Sequence, residues 1–149
     1  MIDRTTAPLG AFLLRVSLGV MFLAHSLYLK GVVFTLPGTA KYFDSIGLPG
    51  PLAYAVFALE AAGGLLLVLG VKTRWVSLAL LPVLLGATWA HAGNGWLFTN
   101  ANGGWEYPAF LAVASLVQAL AGDGAFALSR SPTLDELQPD TSRPGRYAL

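Results

Sequence analysis

The sequence predicts an all-α fold, an integral membrane four-helix bundle whose helices cross the bilayer antiparallel, up and down. Three observations support this prediction. Only 11% of the residues are charged, against roughly 25% in an ordinary soluble domain. The mean hydropathy is +0.62. The chain also contains four apolar runs, each close to the ~20 residues that a helix needs to span a bilayer. We therefore expect residues 1–128 to form a single transmembrane domain.

The first transmembrane helix is predicted over residues 9–29. Arg15 and His25 interrupt this run, and it is longer than the ~7–15 apolar residues of a signal peptide. We therefore expect a helix that the mature protein keeps. Residues 30–50 follow with several prolines and glycines, a composition typical of a loop.

The second helix is predicted over residues 51–70 and carries Glu60 near its middle. Gly63 and Gly64 follow at i+3 and i+4, on the same helix face. Small residues let a neighbouring membrane helix approach closely. We therefore assign helix packing to both glycines and to Gly19 of the first helix.

A short connection leads to the third helix, predicted over residues 75–92, where Pro82 is expected to introduce a kink. The next segment, residues 93–105, is rich in Gly, Asn and aromatic side chains, as in a loop at the membrane interface. The fourth helix is predicted over residues 106–122. Residues 129–149 are polar and proline-containing and are expected to form a flexible tail.

The distribution of Lys and Arg predicts the orientation, because these residues concentrate on the cytoplasmic side of membrane proteins. With four spans, only Lys30 and Lys41 lie on the side opposite the termini. The side of the termini carries Arg4, Lys72, Arg74, Arg130, Arg143 and Arg146. Both termini are thus expected in the cytoplasm, with the protein in the cell's inner (plasma) membrane and the lipid bilayer as its surroundings.

Charge and cysteine content exclude several classes of function. The net charge is +1 and the sequence contains no basic stripe, so we expect no nucleic-acid partner. The chain has no cysteine, which removes disulfide exchange, thiolate nucleophiles and cysteine-ligated clusters. No local motif for a phosphate loop, a zinc protease or a nucleophile elbow is present, so the catalytic residues, if any, are unknown at this stage.

Ionisable side chains within apolar runs are the best guide to a site, because a charge in hydrocarbon is costly and usually functional or paired. Helix direction places His25, His91 and Glu106 at one level near the outer end. Glu60 lies deeper, and Arg15 deeper still. The candidates for ligand binding or proton relay are His25, Glu60, His91, Trp105, Glu106 and Tyr107. The alternative is that the outer groups only anchor the loops at the interface.

Other interpretations of the same residues remain open. Two imidazoles and a carboxylate are a known metal-ligand set, so His25, His91 and Glu106 form a low-ranking metal-site hypothesis, although no local spacing motif supports it. The two histidines are also potential haem ligands. For Glu60, the structural alternative is a buried pair with Arg15 that holds the helices in register.

Several of these residues occur in a pattern that resembles the DoxX family of small bacterial membrane proteins. The resemblance rests on Arg15 and Gly19, on His25 followed by Lys30, and on residues 47–74 and 93–108. It covers about residues 10–130. In the family, His-Gly usually precedes a Lys four residues after the His, whereas here Ser26 follows His25 and the lysine stands five residues on. Lys30 is therefore left out of the predicted site.

The resemblance implies a four-helix membrane protein that often acts beside redox enzymes. The family's name comes from a subunit of an archaeal thiosulfate:quinone oxidoreductase, and other members are linked to quinone resistance and oxidative stress. We accordingly expect a membrane subunit of a redox or detoxification system, not catalytic by itself, with other membrane or redox subunits or further copies of itself as partners. The cofactor is unknown, with a quinone as the candidate. The alternatives are a non-catalytic scaffold or assembly factor and, more weakly, a small-solute or metal transporter.

Overall fold

The computed structural model describes residues 3–132, and within that range the protein is helical, with one isolated β-bridge between Val71 and Ser129. Helix α1 (Ala7–Leu23) continues directly into a π-helical segment, Ala24–Val33. Helices α2 (Leu36–Ser45) and α3 (Leu52–Leu69) follow. Helix α4 (Thr73–His91) ends in a short 3₁₀ turn, Ala92–Asn94, and α5 (Glu106–Ala121) completes the described elements. The predicted all-α class is confirmed.

Within residues 3–132, three helical segments are long and apolar enough to cross a membrane. They are Ala7–Val33, Leu52–Leu69 and Thr73–Asn94. Helix α5 is apolar but has only 16 residues, which makes it about 24 Å long, shorter than the ~30 Å hydrocarbon core of a bilayer. The chain is therefore a multi-pass membrane protein, whose fourth apolar helix is shorter than the other three.

The segment predicted as a loop, residues 30–50, is largely helical instead. The first helix extends four residues further than expected, to Val33, because its end is π-helical. Helix α2 follows although it contains Pro37, since proline fits the first turn of a helix. The Thr35 hydroxyl caps this turn by accepting a hydrogen bond from the Gly38 amide at 3.2 Å. Proline and glycine thus mark a helix start here and not a loop.

The helices pack as antiparallel neighbours, and glycines allow the closest contact. A Cβ atom on Gly19 of α1 would lie 2.8 Å from the Gly64 carbonyl oxygen, and one on Gly64 would lie 2.9 Å from the Gly19 oxygen. The backbones of α1 and α3 therefore touch directly. A Cβ atom on Gly63 would lie 2.9 Å from the side chain of Leu80 of α4. Small residues thus bring α3 against both neighbours.

A Gly64→Ala variant is expected to unfold at a lower temperature than the wild type in detergent, with a loss of about 1–3 kcal/mol of stability, because its Cβ forces two backbones apart. Gly86→Ala is the matched control. Gly86 also lies inside a transmembrane helix, but a Cβ there has no neighbour within 4 Å. Equal thermal midpoints for the two variants would contradict the close contact.

The apolar core occupies the middle of the bundle. Leu18, Leu67 and Leu80 are almost completely buried and form one cluster with Phe22 and Leu84. Along the helices these residues lie between two polar ends. We call the end at which α1 begins and α5 ends the terminal end. The opposite end, with the π-helical segment, α2 and residues 92–105, we call the loop end.

Residues 122–132 fold back across the terminal end. Asp123 accepts hydrogen bonds from the Thr73 amide at 2.9 Å and from the amide of Ser131 at 2.7 Å. Burial by itself raises the pKa of Asp123, but the hydrogen bonds from Ser131 and Thr73 together hold that pKa below its ordinary value. Lys72 and Ser129 also pair through their backbones. Residues 129–131, the start of the predicted flexible tail, are therefore held in place. Residues 133–149 lie outside the described range.

Candidate functional site

The π-helical segment determines which side chains of the first membrane helix face α3. In a π-helix each amide bonds to the carbonyl five residues earlier instead of four. The bond from the Phe34 amide to the Leu29 oxygen, at 2.7 Å, is of this kind. Because the turn is wider, residues five apart differ in direction by roughly 50°, against roughly 140° in an α-helix. His25 and Lys30 have this spacing, so both can be directed toward the bundle.

Lys30 forms a buried ion pair with Glu60 of α3. Its Nζ lies 2.6 Å from Glu60 Oε2, and the two side chains are only 17% and 6% exposed. A buried charge is tolerated when it is paired in this way. Sequence reasoning missed Lys30 because the lysine stands at the predicted end of the helix and five residues from His25. In a π-helical turn, two residues at this spacing can both be directed toward the bundle.

The predicted pair of Arg15 with Glu60 is wrong. Arg15 is completely buried at the terminal end, where its guanidinium donates to the carbonyl oxygens of Leu67 and Val68, at 3.0 and 3.2 Å, and of Ala125, at 3.0 Å. Leu67 is seven residues beyond Glu60, or roughly 10 Å along the helix axis. Arg15 and Glu60 are both polar groups inside the bundle, but they lie at different depths.

Arg15 therefore works as a cap for α3. The last carbonyls of a helix have no partner within it, and a cation near that end is favoured by the helix dipole. The Arg15 guanidinium also lies 5.3 Å from the centre of the Phe12 ring. Because its guanidinium bonds to carbonyl oxygens of the protein itself, Arg15 has a structural role.

His25 contacts its own helix on one side and α5 on the other. Its Nδ1 lies 2.9 Å from the Met21 carbonyl oxygen, and because a carbonyl only accepts hydrogen bonds, Nδ1 carries the proton. In neutral imidazole, Nε2 is then the free acceptor. The His25 ring stacks on Tyr107 with centroids 6.0 Å apart and an angle of 24°.

Tyr107 lies in the wall of an open groove at the loop end. The groove has a volume of about 510 Å³. Its walls are largely aromatic, and Trp96 is fixed against Trp105 in a T-shaped contact with centroids 4.5 Å apart. The lining residues are Trp96, Phe98, Glu106, Tyr107, Ala109, Phe110 and Val113. We call this surface the aromatic groove. Tyr107 therefore contacts His25 and also lines the aromatic groove.

The other predicted outer residues hold the loop. Glu106 Oε1 accepts a hydrogen bond from the Phe98 amide at 2.8 Å, which closes the segment between α4 and α5. The His91 Nδ1 lies 2.8 Å from the Ala87 carbonyl oxygen, and its ring lies beside Gly103. Trp105 contacts Trp96 without lining the groove itself.

The predicted outer cluster is therefore not a single site. His25 meets Tyr107 of α5, while Glu106 and His91 contact the loop. Among the residues that the structure describes, no three His, Asp or Glu side chains are close enough to hold a metal ion. The geometry therefore gives no support to the metal-site hypothesis for His25, His91 and Glu106.

A second polar region lies between α4 and α5 at the terminal end. The Ser115 hydroxyl donates to the Ser77 carbonyl oxygen at 3.0 Å, and the Gln118 amide donates to the Gly122 oxygen at 2.7 Å. All three side chains are fully buried, as is Thr73. The apolar cluster around Leu67 and Leu80 separates this region from Glu60. The two polar ends of the bundle are therefore distinct.

Comparison with known proteins identifies relatives of the chain. The family model described as DoxX matches residues 10–93, a range that includes His25, Lys30, Glu60 and His91. A protein of Bacillus subtilis (strain 168) named putative oxidoreductase CatD is 35% identical over 121 residues, which cover 80% of this chain and 84% of that protein. No solved structure matches the chain.

Proposed function

Since the chain belongs to the DoxX family, we propose that it is a membrane subunit of a redox or detoxification system and binds a quinone-like headgroup in the aromatic groove. The protein is a multi-pass membrane protein linked to redox chemistry. The observation that carries the finer proposal is the position of Tyr107, which lines the groove on one side and stacks on His25 on the other.

The proposed topology has four spans with both termini in the cytoplasm and the loop end on the outer side of the inner membrane. The charge distribution supports it. Arg4, Lys72, Arg74 and Arg130 lie at the terminal end, whereas Lys30 and Lys41 lie at the loop end. Glu60 neutralises Lys30. Among the described residues at the loop end, Lys41 is therefore the lysine that has no acidic partner. The aromatic groove then opens at the level of the outer leaflet.

The walls of the groove suit a flat, largely apolar ligand that arrives through the membrane. Phe110 and Val113 are 69% and 61% exposed, so the groove is open toward the lipid side of α5. Aromatic rings such as those of Tyr107 and Trp96 stack well on a conjugated ring. A quinone headgroup has such a ring, and its apolar tail would remain among the lipids.

The polar groups behind Tyr107 suit the proton chemistry of a quinone. Reduction of a quinone to a quinol takes up two electrons and two protons. In this proposal a redox partner subunit supplies the electrons. The protons pass through His25, since an imidazole can accept a proton at Nε2 and pass it on. The Lys30–Glu60 pair is a fixed charged group at the same end of the bundle.

Binding of a water-soluble quinone analogue to the purified protein tests the proposal. Tyr107→Ala is expected to bind about tenfold more weakly, which corresponds to the loss of roughly 1.4 kcal/mol of ring contact. Tyr54→Ala is the matched control, because Tyr54 is an exposed tyrosine of α3 that does not line the groove. His25→Ala should also weaken binding. Wild-type affinity in the Tyr107→Ala protein would remove the proposed site.

The scaffold hypothesis is the second candidate, and one observation favours it. The buried polar groups Arg15, Lys30 and Glu60 all bond within the bundle, so each has a structural role without any ligand. A scaffold would capture its partner subunit equally well after substitution of Tyr107 or His25. Capture that survives both substitutions, with no quinone analogue bound, would favour this alternative. A transport role has less support, since the apolar cluster around Leu67 and Leu80 separates the two polar ends.

A further inference from the structure

Three consecutive carbonyls at the end of α1 accept hydrogen bonds from side chains. The ring of His25 bonds to the Met21 oxygen at 2.9 Å. The hydroxyl of Ser26 donates to the Phe22 oxygen at 2.8 Å and approaches the Leu23 oxygen at 3.3 Å. In an α-helix these three oxygens would bond to the amides of residues 25–27. The α-helix changes to a π-helix at this point, between Leu23 and Ala24.

A side chain that bonds to carbonyls in its own helix competes with the regular backbone bonds. Serine hydroxyls that bond to the carbonyl four residues earlier often bend the helix, and a group inserted into the ladder is one of the few causes of such irregularities. Ser26 is fully buried, so water does not compete for its hydroxyl. Its two acceptors are therefore fixed within the helix.

The π-helical turn decides where Lys30 points. A π-helix has about 4.4 residues per turn, so each residue turns the chain by roughly 82°, against about 100° in an α-helix. Over the seven residues from Leu23 to Lys30, the difference adds up to roughly 130°. If this segment were α-helical, Lys30 would face away from α3. The residue that would take its direction, to within about 30°, is residue 29.

We propose that Ser26 is a positioning residue whose hydroxyl sets the π-helical register that places Lys30 against Glu60. The ion pair thereby depends on a residue that contacts neither charge. The functional meaning of this inference rests on the site proposed above, but the register itself needs no ligand. Its test therefore remains separate from the test of quinone binding.

The reactivity of Lys30 toward an amine-acylating reagent measures the register directly. In the wild type the paired, 17% exposed Lys30 should react slowly compared with Lys41, which is exposed and serves as the internal reference. The Ser26→Ala protein should show a Lys30-to-Lys41 ratio at least several-fold higher, as read by mass spectrometry of the peptides. Ser17→Ala is the matched control, because Ser17 is an exposed serine of α1, and it should leave the ratio unchanged.

Exchanging residues 29 and 30 provides the decisive second measurement. The double substitution Leu29→Lys with Lys30→Leu should expose the lysine in the wild-type background, because position 29 is rotated by roughly 80° from position 30 around the π-helix axis. In the Ser26→Ala background the same exchange should protect the lysine again and raise the thermal midpoint in detergent. The exchange thus removes the protection of the lysine in the wild-type background and restores it in the Ser26→Ala background. Only a change of register produces both results.

Two results would overturn the inference. The first is a Ser26→Ala protein in which Lys30 stays protected and the exchange exposes the lysine as it does in the wild type. The second is a Ser26→Ala protein that fails to fold both with and without the exchange, since a restored ion pair should rescue folding. Quinone-analogue binding plays no part in either result. A failed groove hypothesis would therefore leave the register inference intact, and the reverse also holds.

Discussion

The Glu60→Ala variant is expected to lose about 3–5 kcal/mol of stability, because it leaves the Lys30 ammonium buried without its counter-ion. The two side chains are only 17% and 6% exposed, so water replaces the lost carboxylate poorly. The penalty comes from the uncompensated charge more than from the lost attraction. Unfolding titrations in mixed detergent micelles, followed by circular dichroism, would measure the loss.

Two further variants make this prediction specific. The pair Lys30→Met with Glu60→Leu removes both charges, and replacing a buried ion pair by apolar side chains is often neutral or stabilising. It should recover most of the stability lost in Glu60→Ala. Glu106→Ala is the matched glutamate control. Glu106 bonds to an exposed loop amide, so its loss should cost about 1 kcal/mol or less. A double variant as unstable as Glu60→Ala would contradict the assignment.

The same variants separate the proposed function from the scaffold alternative. If Glu60 and Lys30 serve only to hold α1 against α3, the apolar double variant should support partner-dependent redox activity as well as the wild type. If the pair also serves the groove through His25, the double variant should fold well and still lose that activity. The apolar double variant is therefore more informative than any single substitution.

The fold could be predicted from the sequence because hydrocarbon imposes strong constraints on it. A helix forms all of its backbone hydrogen bonds within one segment, as the interior of a bilayer requires. Long apolar runs therefore predict helices. The details were less predictable where local chemistry overrides composition. Composition places Pro37 in a loop, yet it starts α2 with Thr35 as its cap. The π-helical turn depends on side-chain hydrogen bonds that no hydrophobic pattern reveals.

The site was predicted only in part, because the depth of a residue in the membrane does not tell which way its side chain points. Counting residues along a helix gives a level in the membrane, and His25 and Tyr107 do meet at the loop end. The same count suggested a pair between Arg15 and Glu60, but it cannot say which face a side chain occupies. Lys30 reaches Glu60 through a change in turn width. A sequence-based prediction that assumes α-helical geometry loses this residue.

Arg15 carries the other large expected effect, because its guanidinium bonds three backbone carbonyls that belong to two separate segments. Leu67 and Val68 end α3, while Ala125 belongs to the segment that crosses the terminal end. The loss of a buried hydrogen bond from a charged donor costs about 1.5–3 kcal/mol of stability. Arg15→Met should therefore lose about 3 kcal/mol or more, and residues 122–132 should become accessible to proteases.

The choice of replacement and control sharpens this last prediction. Arg15→Lys keeps the charge but supplies a single ammonium on a flexible stem, which cannot match the planar array of guanidinium donors. It should be intermediate, with α3 still capped and the bond to Ala125 lost. Arg4→Ala is the matched control, since Arg4 is an exposed arginine just before α1 and should cost almost nothing. Unfolding titrations, with proteolysis mapped by mass spectrometry, would check both effects. An Arg15→Lys protein as stable as the wild type would mean that the charge alone, and not the geometry of its donors, holds the terminal end together.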